Sequence, residues 1–128
     1  MDEHPGRWRA LALISLVELL CMSLWFGVSS VTPVLRDELG YGDAMASGLT
    51  IAVQLGFVSG TLLSAVLSLS DVMTTRKLLA ISALTGALVN ALFAWLPGEP
   101  AFALTLRFLT GASLAGIYPP GMKLMATW

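Results

Sequence analysis

Four apolar runs of membrane-crossing length, divided by short polar gaps, limit what this chain can fold into. They cover about residues 8–31, 44–69, 78–96 and 101–122. A helix needs ~20 apolar residues to cross ~30 Å of hydrocarbon at ~1.5 Å per residue, and each run reaches that length. Strands are excluded as spans, because the runs lack polar–apolar alternation and an open sheet leaves backbone groups unpaired in lipid. Only 12% of the 128 residues are charged and 56% are hydrophobic, whereas soluble domains carry about 25% charged residues. The expected fold is an all-α membrane protein with four transmembrane helices, residues 1–128 forming one bundle in contact with the lipid bilayer.

Lys and Arg give the orientation. With the N-terminus in the cytoplasm, the inner segments hold Arg7, Arg9, Arg76, Lys77 and Lys123, while the outer ones keep Arg36 beside Asp37, Glu38, Asp43 and Glu99. The positive-inside rule selects that arrangement. The opening MDEHPGRWR followed by an apolar run invites a secretory-signal reading. The run is too long for a signal core, contains Glu18, and lacks a small-residue cleavage pattern, so it is read as an uncleaved first helix.

Two charges do not lie in the gaps. Glu18 falls inside LALISLVELLCMSLWFGVSSV and Arg107 inside AFALTLRFLTGASLAGIY. A charge at membrane depth costs a few kcal/mol or more and faces a protein interior or a wet cavity. Glu18 shares a helical face with Met22, Trp25 and Ser29 at spacings of four, three and four. Counted from the ends of their runs, Glu18 lies ~15 Å and Arg107 ~9 Å into the membrane from opposite sides, hence ~6 Å apart in depth. Long side chains span that offset where the two helices are adjacent. Glu18, Arg107, Trp25 and Gln54 are the candidate substrate and proton pathway. Gln54 and Asn90 are uncharged groups of the kind that hydrogen-bond between helices.

Ala52, Gly56, Gly60, Ser64 and Ser68 recur at an interval of four in the second run, a small-residue face that lets another backbone approach. Pro119-Pro120-Gly121 is expected to end or bend the fourth span, since two backbone donors are missing. Other chemistries lack their residues. His4, the only histidine, and Cys21, the only cysteine, rule out a His/Cys metal cluster and an intrachain disulfide. No phosphate-binding glycine loop, nucleophile–base pair or large basic patch is present, so no enzyme activity, cofactor, metal or nucleic-acid partner is expected.

SLWFGVSSVTPVL in the first run, AVQLGFVSGTLLSAVLSLSD in the second and RFLTGASLAGIYPPGMKLMATW in the fourth resemble the major facilitator superfamily, over about residues 8–128. Arg107 with Gly111 fits the family's R-x-x-x-G element, which lies in a cavity-lining helix. The family's G-x-x-x-D-R-x-G-R-R/K loop is matched at Asp71, with Arg76-Lys77 one residue late. Leu67 stands where its glycine would be, and Val72 where Arg or Lys would follow the acid. The resemblance implies a cytoplasmic gating role for Asp71, Arg76 and Lys77, and helix packing or hinge roles for Gly56, Gly60, Gly111, Pro119 and Pro120. It implies alternating-access secondary transport of a small solute, coupled to protons or another ion, in a bacterial-type inner (plasma) membrane. The chain corresponds to the first four of twelve helices, a partial N-terminal bundle. It is therefore expected to be a fragment or truncated form, partnered by the missing C-terminal helices or another chain. A four-helix, dimeric, proton-coupled exporter of the small multidrug-resistance type is one alternative; a non-transporting membrane scaffold is the other.

Overall fold

The structure, a computed structural model, describes residues 4–95 and 98–128. It is all-helical, with no strand among the described residues. Six helices follow in order: α1 (Arg7–Leu39), α2 (Asp43–Val66), α3 (Leu69–Val72), α4 (Thr75–Trp95), α5 (Pro100–Leu114) and α6 (Tyr118–Met125). Helices α1, α2, α4 and the combined α5–α6 segment Pro100–Met125 are long and apolar enough to cross a membrane. The protein is thus an integral membrane protein built on four helical spans.

The spans match the sequence expectation in number and differ at their ends. Helix α1 does not stop at Val31; it runs through Pro33 to Leu39. Proline removes one donor, but Leu35 and Leu39 beyond it pack on the core and draw the helix onward. Gly40 then ends it in the left-handed conformation (φ 65°), its N–H donating to the Arg36 carbonyl. Helix α2 ends at Val66, so Ser68 leaves the small-residue face and turns the chain at φ 50°. The predicted end of the third span at Leu96 and the turn at Pro97 lie outside the described residues. The fourth span breaks at Ala115–Ile117, before the two prolines. Pro119 and Pro120 sit in the first turn of α6, where their missing N–H groups have no helical partner to lose.

The fourth span is the centre of the bundle, and the α2–α5 interface is the most extensive, followed by α4–α5. Lipid chains are as apolar as Leu side chains, so helices associate through close packing. Gly56 and Gly111 provide it reciprocally. A Cβ on Gly56 would run into the Phe108 carbonyl of α5, and one on Gly111 into the Val53 carbonyl of α2. Gly60 continues the contact, with Ala112 Cα 2.9 Å from where its Cβ would be. These pairings show that α2 and α5 run parallel, as alternate spans must. One core cluster, including Val28, Leu49, Phe93 and Leu106, fills one end of the bundle. A second, of Cys21, Val53, Leu114 and Ile117, lies further along. Many hydroxyls turn back on their own helix: those of Thr32, Thr61, Thr85, Thr105, Thr110 and Ser113 donate to carbonyls four residues earlier at 2.8–2.9 Å.

Gly111→Ala is expected to lower stability by about 1–3 kcal/mol, the usual cost of overpacking, because backbone cannot yield as a side chain does. Gly27→Ala, with nothing within 4 Å of its Cβ, should leave stability equal or slightly raised. Thermal unfolding of both variants in detergent checks the contrast.

Candidate functional site

The sequence-predicted pathway residues lie mainly along the seam between α1 and the fourth span. Arg107, the largest fully buried side chain, is 1% exposed. It stands one turn before Gly111, where α5 is drawn tight against α2. From there its guanidinium reaches α1: Nη1 donates to the Leu24 carbonyl and Nη2 to the Trp25 carbonyl, both at 2.9 Å. These carbonyls belong to the helix interior, so the fork uses their second lone pairs. Arg107 Nε is buried without a partner. The arginine therefore acts as a clamp that holds α1 on α5 and keeps one donor uncommitted.

Glu18 is elsewhere. It lies two turns towards the N-terminus of α1, half-buried against α6, with Oε1 buried and unpartnered. A Cβ on Gly121 would overlap that oxygen, so the bare glycine is what leaves room for the carboxyl group. The Tyr118 hydroxyl donates to the Glu18 backbone carbonyl at 3.3 Å and ties α6 to the same turn of α1. The two charged residues are brought to one seam but not to each other. Six to seven residues of helix separate Glu18 from the carbonyls that hold Arg107, ~10 Å along the axis. Counting depth by residue number yields a smaller offset, because it takes Trp8 and Ala101 as the membrane boundaries. Helix α1, 33 residues or ~50 Å long, projects beyond the hydrocarbon and shifts that reference.

Between the two charges sits an aromatic chain. Trp25 meets Phe57 edge-on at 5.4 Å, and Phe57 meets Tyr118 at 6.4 Å, linking α1, α2 and α6. Trp25 is thus packed, while Met22 and Ser29, expected on the same face, are exposed. Gln54 is exposed on α2, turned away from the α5 interface that buries its neighbour Val53. It is not gathered into the seam.

Asn90 Oδ1 is buried without the interhelical hydrogen bond expected of it. It lines a cleft of about 360 Å³ between α1 and α4, with Val28, Leu35 and Phe93 among its walls and Glu38 at its edge. Asp71 on α3 and Arg76 and Lys77 at the start of α4 are exposed, and among the described residues the only ion pair is Arg36–Asp43. Sequence reasoning missed Tyr118, and named Gly121 only as part of an end or bend of the span, not as the position that seats the Glu18 carboxyl group. The usable signal was the glycine immediately after the prolines, in a segment still apolar enough to remain in the membrane.

Arg107→Ala is expected to cost about 3 kcal/mol or more, from two hydrogen bonds made by a charged group. Arg107→Lys should recover only part of it, since an ammonium lacks the planar fork. Cys21, buried on α1 between the two charges, reports the loosening directly. Its labelling by a small maleimide should accelerate about tenfold in Arg107→Ala.

Comparison with family models, with curated proteins and with solved structures finds no match to this chain.

Proposed function

We propose that this chain forms the first four helices of a secondary transporter of the major facilitator type, which moves a small solute by alternating access coupled to protons. The observation that carries the reading is the pair of buried, incompletely satisfied charged groups at membrane depth: Glu18 Oε1 and Arg107 Nε. Such groups are costly in hydrocarbon and mark solute or ion paths. A scaffold needing only interhelical ties would make use of the Arg107 clamp, but would leave the uncommitted carboxyl oxygen of Glu18 without a role.

In this reading Glu18 carries the proton and Arg107 holds α1 in register while presenting its free donor to the path. The Gln54 carboxamide, exposed at depth on α2, faces the opposite wall of the cavity, supplied by further helices or another chain. Asp71, Arg76 and Lys77 belong to the gate at the cytoplasmic side, the orientation favoured by the positive-inside bias.

The reading frame beyond Trp128 tests the architecture. Eight further apolar spans are expected; a stop codon there, with robust solute uptake by the 128-residue protein, would sink it. In the intact transporter, Glu18→Gln should reduce proton-driven accumulation about tenfold, within the range of ordinary coupling energies. Uptake by vesicles under imposed pH gradients measures this, and an unchanged proton dependence would remove Glu18 from coupling.

A further inference from the structure

A second cleft, of about 240 Å³, opens at the other side of the fourth span, between α2, α3 and α6. Its floor is apolar, made by Ala115, which is 2% exposed, and the buried Pro120, with the exposed Ala65 on its wall. Its rim is polar: Ser64, Ser70 and Lys123 line it. Neither serine hydroxyl makes a hydrogen bond among the described residues, whereas the hydroxyl of Thr61, also on the cleft wall, donates to its own helix. Lys123 forms no ion pair among the described residues. The left-handed turn at Ser68 is what swings α3 across the cleft and brings Ser70 to its rim.

The charge around it has one dominant sign. This end of the bundle carries Arg7, Arg9, Arg76, Lys77 and Lys123, against Asp71 on α3 and Glu18, whose carboxyl group lies against Gly121 on α6. An ammonium and two free hydroxyls above an apolar floor suit an anion joined to hydrocarbon. Exposed Leu62, Leu63 and Val66 on the adjoining turns of α2 offer the surface along which acyl chains can lie. The basic end of a membrane protein meets the leaflet richest in anionic lipid.

We propose that this cleft binds the phosphate group of an anionic phospholipid, with Lys123 and the hydroxyls of Ser64 and Ser70 as its ligands. The site is independent of transport and would operate in any assembly that leaves this face in contact with lipid.

Lipid binding to the purified full chain in detergent, followed by native mass spectrometry and thermal shift, tests it. Phosphatidylglycerol should bind and raise the melting temperature more than phosphatidylcholine, and inorganic phosphate alone should do neither. Lys123→Gln should weaken phosphatidylglycerol binding about fivefold, and Ser70→Ala should weaken it less. Lys77→Gln, at an exposed basic residue outside the cleft, should not change it. Equal binding of phosphatidylcholine would overturn recognition of an anionic headgroup, and an equal loss in Lys77→Gln would overturn the site in favour of diffuse attraction. Stabilisation by inorganic phosphate alone would overturn the lipid as its ligand.

Discussion

The rest of the bundle depends on the approach of two backbones. Where α2 and α5 cross, each helix supplies a glycine that receives a carbonyl of the other: Gly56 beside Phe108 and Gly111 beside Val53. With no hydrophobic force to bring helices together inside lipid, dispersion at this separation and the packing around it must hold the pair. The contact also positions the chemistry. Gly111 lies one turn after Arg107, so pressing α5 onto α2 turns the guanidinium towards α1, where two carbonyls receive it. The clamp on α1 follows from the glycine contact.

That order explains why parts of the molecule were legible in the sequence and others were not. Run length and hydropathy reveal spans, because lipid imposes both, and an interval of four reveals Gly56 and Gly60. The ends of the helices were less legible. The first run, read as ending at Val31, is carried on through Pro33 by the packing of Leu35 and Leu39, and Pro119-Pro120, read as an end or a bend, falls where a helix begins. Ser68 illustrates the same limit, since a regular spacing continues on paper after the helix that would use it has ended.

The charged residues show a different limit. Their presence at depth was readable, and so was their importance as unusual groups in lipid. Their partners were not. Arginine found backbone carbonyls rather than a carboxylate, and such acceptors leave no trace in a sequence because every residue has one. Glutamate found a glycine, whose contribution is the absence of a side chain. The separation leaves two polar stations along one seam: the guanidinium of α5 held by α1 carbonyls, and the carboxyl group carried by α1 itself, at the turn to which the Tyr118 hydroxyl ties α6.

The hydroxyls that donate to their own helices carry a consequence for how this protein meets its surroundings. Thr61, Thr85, Thr105 and Ser113 look polar in a composition table, but each has already satisfied its donor within one turn. To neighbouring lipid these stretches are closer to hydrocarbon than their residue types suggest. Carboxylate, carboxamide and guanidinium groups cannot be silenced so cheaply, being longer, charged or rich in donors. Chemical address within the membrane is therefore concentrated in a handful of side chains, and lipid beside this bundle would find most of its threonines mute.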